Sequence, residues 1–156
     1  MRRPSRSAAP WSRTATTFGW NRRAATCASR RKAASRTRSP SPKKVPGQTV
    51  KAPLHRTLSA KRNEDNRNAA KKQCRRYWGD GYSHGGTRDC DEYPFASTYE
   101  GAAEHDYDPE VRKFNFSVKP IAKEDNQAGG SILKGFYSKN RILDGMNDGF
   151  IVRIIG

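Results

Sequence analysis

The first 63 residues contain no aspartate and no glutamate; Glu64 is the first acidic residue of the chain. Of the 31 Lys and Arg, 17 fall in that span, which leaves 14 against all 15 acidic residues in the remainder, a net charge near −1 there. The overall charge of +16 is thus a property of the first part of the chain. Long hydrophobic runs are also lacking, and mean hydropathy is −1.01. Nothing approaches the roughly 18 apolar residues that span a bilayer, and no apolar core of about 7 to 15 follows the basic start. A membrane span and a standard secretion signal are therefore not expected. Cysteine is scarce at three, Cys27, Cys74 and Cys90, with no Cys-x-x-Cys and no spacing of paired zinc knuckles. The length of 156 residues gives room for one domain, or a small domain plus a tail, and no internal repeat is visible.

Residues 1–52 are Arg, Ser, Ala, Thr and Pro with little periodicity. Such a segment cannot bury enough apolar surface to offset its ordering entropy, so disorder is expected. Three readings stand open for it. It is an arm that binds nucleic acid by releasing counterions from phosphate, a solubilising extension, or the product of a misread frame or misplaced start in GC-rich coding sequence. The domain is expected over 53–156.

Within it, Ser59 is a candidate N-cap for a weak helix to Cys74, packed along Leu58, Ala69, Ala70 and Cys74. The glycines of 77–86 predict a loop. Phe114, Phe116 and Val118 alternate as on a strand, which Pro120 should end. A helix beginning within Ile121–Asp125 should carry Asn126, with Gly129–Gly130 interrupting it or opening a second segment. Ile132, Leu133, Phe136 and Tyr137 recur at helical spacing. A turn over 145–149 precedes the clearest strand, Phe150–Ile155. Cys74 and Cys90 bracket a short loop, as a disulfide or as two thiols.

The stretch from Asp89 to Ala102 carries the chemistry. It places Asp89, Asp91, Glu92 and Glu100 among aromatic residues and closes on Gly101. On an extended chain Asp89 and Asp91 share one face and Glu92 takes the other. Carboxylates with the carboxamide of Asn126 are a ligand set for a hard cation such as Mg²⁺ or Mn²⁺. Such a cation can support phosphodiester hydrolysis while a carboxylate draws a proton from the attacking water. Simpler roles compete. His55, His84 and His105 read as solvated residues, Glu100 as a turn former, Asn126 as a cap, and Arg141 with Asp144 as a structural pair. Arg141 or Arg112 could instead contact phosphate. Tyr93, Phe95, Phe114 and Phe116 read as core.

Cys90-Asp91-Glu92-Tyr93-Pro94-Phe95-Ala96-Ser97-Thr98-Tyr99-Glu100-Gly101-Ala102 resembles the deoxyribonuclease NucA/NucB family in its actinobacterial form. Asp125-Asn126-Gln127-Ala128-Gly129-Gly130-Ser131, Phe136-Tyr137 and Arg141-Ile142-Leu143-Asp144-Gly145 carry the likeness onward. It covers roughly 53–156 and not the basic segment. The resemblance implies an α+β domain with a small ββα-metal-nuclease-like core, and a secreted, metal-dependent, sequence-nonspecific DNA endonuclease. The implied cofactor is Mg²⁺ or Mn²⁺, and the implied partner is DNA, with RNA as a second substrate and no membrane. It makes Asp91 the general base, with Asp89 as the alternative. Glu92 and Glu100 become metal or supporting carboxylates, and Asn126 the helix-borne metal ligand. Two departures are the missing export signal and Glu100-Gly101-Ala102 where some members carry Glu-Gly-Gly. Two other functions remain open: a noncatalytic basic DNA-binding protein, and the nuclease domain of a secreted toxin. The near-neutral domain would need a local positive face, for which Lys71, Lys72, Arg75 and Arg76 are candidates.

Overall fold

The structure, a computed structural model, describes residues 16–21 and 46–155. The elements run β1 (Thr16–Asn21), β2 (Leu54–His55), α1 (Ala60–Trp78), β3 (Arg88–Tyr93), α2 (Glu104–Tyr107), β4 (Ser117–Ala122), α3 (Lys123–Lys139) and β5 (Gly149–Ile155). The α+β class is as expected. β5 is the middle strand of one sheet, with β1 parallel on one side and β2 antiparallel on the other. β3 and β4 form a separate antiparallel hairpin. Within the segment 1–52, Thr16–Asn21 form strand β1 against β5. The expectation of disorder over the rest of that segment, through residue 45, lies outside the described residues.

Helix α1 begins where expected. The Ser59 hydroxyl accepts from the Arg62 amide at 3.2 Å, and Gly79, at φ 77°, closes the helix with its amide on the Arg75 carbonyl. Its buried stripe is Asn66, Ala70, Gln73 and Cys74, at the i, i+4, i+7, i+8 spacing of one face. Half of that stripe is polar, which hid it from a hydrophobicity reading. Leu58, expected to pack, is 60% exposed. The expected loop contains 3-10 turns within Asp80–Gly86, broken by a kink at His84 and Gly85.

Asn66 is fully buried and ties α1 to the chain after β3. Its amide donates to the carbonyls of Ala96 (2.8 Å) and Thr98 (3.1 Å), and its Oδ1 accepts from the Ala103 amide (2.9 Å). A disulfide, Cys74–Cys90, adds a covalent link from α1 to β3 and resolves the choice between bridge and thiols.

The strand expected at 114–118 is displaced. Phe114 lies in a turn at φ 61°, and β4 runs from Ser117 through Pro120 to Ala122. Proline is accepted there because, among the described residues, β3 and β4 form a two-stranded sheet, so the side of β4 away from β3 has no ladder to lose. Phe114, Phe116 and Val118 nevertheless pack together around Cys74 and Cys90. α3 follows β4 with no intervening loop and runs unbroken through Gly129–Gly130. Its buried face is Gly129, Leu133 and Tyr137, while Ile132 is half exposed. Leu133 and Tyr137 join Leu54, Tyr93, Phe95, Ile142, Phe150 and Val152 in the main core. Among the described residues no helix is long and apolar enough to cross a membrane.

Candidate active site

The site grows out of the two faces of β3. Cys90 points to α1 through its disulfide. Asp89 points to α3, where the Asn126 amide meets Asp89 Oδ2 at 3.2 Å. Alternation along the strand then puts Asp91 and Tyr93 with Asp89, and Arg88 and Glu92 with Cys90. The hairpin is thus held between two helices, with a disulfide on one side and a carboxylate–carboxamide pair on the other. Asp91 lies across the ladder from Lys119.

Asn126 reaches Asp89 because α3 starts directly on β4, whose last residue pairs with Arg88. Residue 126 falls in the first turn of the helix, beside the start of the acidic strand. Glu124 and Asp125 in that turn favour the positive end of the helix dipole.

Glu92 is half-buried in an open cleft of about 350 Å³ between α1 and α3. Loss of water and the charge of Asp91 push its carboxyl up to about 8, against the pull of Arg67, the Ala96 backbone amide and Lys71. Arg56, Arg67 and Lys134 bring positive charge to the same cleft.

Glu100 stands elsewhere in this arrangement. Its Oε2 accepts from the His55 amide at 2.9 Å and its Oε1 meets His55 Nδ1 at 2.6 Å. Both oxygens are therefore engaged in clamping β2, and His55, expected to be solvated, is largely buried. His84 is exposed, and His105 Nδ1 donates to the Val111 carbonyl at 2.7 Å. Asp144, expected beside Arg141, accepts instead from the Leu58 amide and the Tyr99 hydroxyl, at 3.0 and 3.2 Å.

The structure thus brings Asp89 and Asn126 into contact, keeps Asp91 on their face and turns Glu92 to the neighbouring cleft. Sequence reading named Lys71, Lys72, Arg75 and Arg76 as the positive face and missed Arg67 and Lys134. The signal for Lys134 was its spacing of eight from Asn126, two i+4 steps along one helix face.

A family model described as Deoxyribonuclease NucA/NucB matches residues 48–152. The chain belongs to this family. NucA/NucB membership implies a deoxyribonuclease function with DNA as substrate. No curated protein and no solved structure matches the chain.

Does the NucA/NucB site fit a divalent cation? Among the described residues no three His, Cys, Asp or Glu side chains gather into a cage. The Asp89–Asn126 pair does supply two neighbouring side chains bearing hard oxygens on rigid elements. Mg²⁺ is commonly held by one or two carboxylates, with water and substrate phosphate completing the shell. The residues present fit that mode, once the Asn126 amide turns its oxygen toward the carboxylate.

Proposed function

We propose that this NucA/NucB protein is a metal-dependent, sequence-nonspecific endonuclease that hydrolyses DNA phosphodiesters. The observation that carries the reading is the Asp89–Asn126 contact at the junction of hairpin and helix. Asp89 and Asn126 would hold Mg²⁺ or Mn²⁺, with Glu92 as a further carboxylate nearby. When bound, the cation stabilises the charge that gathers on the phosphoryl oxygens and the leaving oxygen.

Asp91, on the same strand face as Asp89, is the residue that would take the proton from the attacking water. The water oxygen bonds to phosphorus, one P–O ester bond breaks, and the departing oxygen takes up a proton from solvent. Asp91 suits this role because the β3–β4 ladder and the adjacent disulfide fix its position. A disulfide inside the domain suits an oxidising compartment, in keeping with a secreted enzyme.

The test is plasmid cleavage by the full chain with Mg²⁺ or Mn²⁺, with EDTA, and with Asp91→Ala. Nicking that needs metal and is lost in the variant is expected. Cleavage unaffected by the substitution, or none in any metal, would overturn the reading.

A further inference from the structure

Beside the acidic face lies the cleft of about 350 Å³, walled by Asn63 and Arg67 of α1 and by Gly130 and Lys134 of α3, with Arg56 and Glu92 also lining it. Its volume lies within the range of sites that hold small organic ligands. Arg67 and Lys134 are both exposed, one from each wall. Asn63 Oδ1 lies buried at the cleft with no hydrogen-bond partner.

Asn126, Gly130 and Lys134 lie four residues apart and form one row along α3. Asn126 marks the Asp89 end of that row and Lys134 the cleft end. Eight residues of helix rise about 12 Å. That is a span of a few nucleotides along one nucleic-acid strand. The helix therefore joins the acidic face to a cationic cleft over a span that one strand can bridge. Between them, Gly130 adds no side chain to the wall, and a Cβ there would meet no protein atom within 4 Å.

We propose that this cleft is a substrate subsite that seats a nucleotide a few steps from the scissile bond, its phosphate between Arg67 and Lys134. The proposal rests on the nuclease reading for its substrate. Glu92 lines the same cleft, where Arg56, Arg67 and Lys134 together outweigh its charge. A strand held at one point beyond the reacting phosphate is held by its backbone, which adds affinity without adding sequence preference. The subsite favours substrates long enough to reach it.

The test uses the full chain, a 12-nucleotide single strand, and bis(p-nitrophenyl) phosphate, a diester too small to reach the cleft from the acidic face. The variants are Arg67→Ala with Lys134→Ala, Gly130→Ala, and the charge-keeping Arg67→Lys. For the oligonucleotide, the double variant is expected to raise KM about tenfold, with kcat and small-diester hydrolysis unchanged. Gly130→Ala should act in the same direction without lowering thermal stability, and Arg67→Lys should recover part of the loss. An unchanged KM, or an equal fall on both substrates, overturns the subsite.

Oligonucleotide binding is measured separately in an Asp91→Ala background across salt concentrations. Losing the one phosphate that the two cations neutralise should reduce the log–log salt slope by about 0.7. The basic segment contributes equally to both proteins compared. An unchanged slope overturns the subsite, whereas a chain that binds with the expected slope but hydrolyses neither substrate overturns only the nuclease reading.

Discussion

Asn66 lies so close to Gly101 that a Cβ added at Gly101 would come within 2.3 Å of its side-chain nitrogen. The glycine that closes the acidic stretch is therefore a packing requirement set by a helix more than thirty residues earlier. Gly101→Ala should destabilise the domain by roughly 2 kcal/mol or more through overpacking. Asn66→Ala should cost about 3 kcal/mol or more, because two carbonyls and one amide lose their partner in a buried setting. Urea unfolding of both variants checks this, and a loss below about 1 kcal/mol for Asn66→Ala would contradict the account.

Asp89→Ala and Asn126→Ala should each lower cleavage strongly and raise the metal concentration for half-maximal activity, since each removes one side of the pair. Asp91→Ala should lower kcat by about 100-fold or more while leaving the metal concentration for half-maximal activity nearly unchanged. The contrast between those two patterns separates proton transfer from cation holding. Identical metal titrations for all three would remove that division of labour.

Two carboxyls make stability fall with rising pH. Burial, then the charges of Glu100 and Asp108, push Glu104 up to about 7 against the pull of Arg62, and Glu92 rises to about 8. Both start from an ordinary value of 4.5. Between that value and the raised one the folded state holds more protons than the unfolded state. The stabilisation is therefore complete below about pH 4.5 and is lost as pH climbs through 7 and then 8. Melting temperatures in EDTA should decline over this window, and Glu104→Gln should flatten its lower part. A rise in stability from pH 6 to 9 would contradict the sign.

The bridge between Cys74 and Cys90 closes a loop of 16 residues. Replacing both by serine should cost about 3 kcal/mol. Because Cys90 stands between Asp89 and Asp91, cleavage should fall along with stability, even at temperatures where the variant remains folded. Activity measured well below the variant's melting temperature tests that coupling.

That Asp89 and Asp91 share a strand face and that Asn126 sits on a helix could be read from sequence because both are local patterns, whereas the roles of these residues came from the family resemblance. The Asn126 helix and the strand at Phe150 were legible for the same reason. Pro120 misled because proline ends strands in general, and its tolerance on a two-stranded edge depends on a neighbour count that no local window contains. The α1 stripe was obscure because Asn66 and Gln73 are buried for what they bond or abut, not for hydrophobicity. The pairing of Glu100 with His55 spans 45 residues, and neither residue carries a local sign of it. Strand β1 lay in composition that argued for disorder, and its edge is supplied from the far end of the chain.

The direct passage from β4 into α3 makes the junction a ruler. Three residues, Lys123 to Asp125, lie between Ala122, paired to Arg88, and Asn126, in contact with Asp89. One residue added between them would turn Asn126 by about 100° around the helix and carry its amide away from the acidic strand. Lys123 and Glu124 can vary in kind, but the number of residues there cannot. Related chains may differ freely in the loops around this junction, and should keep its length.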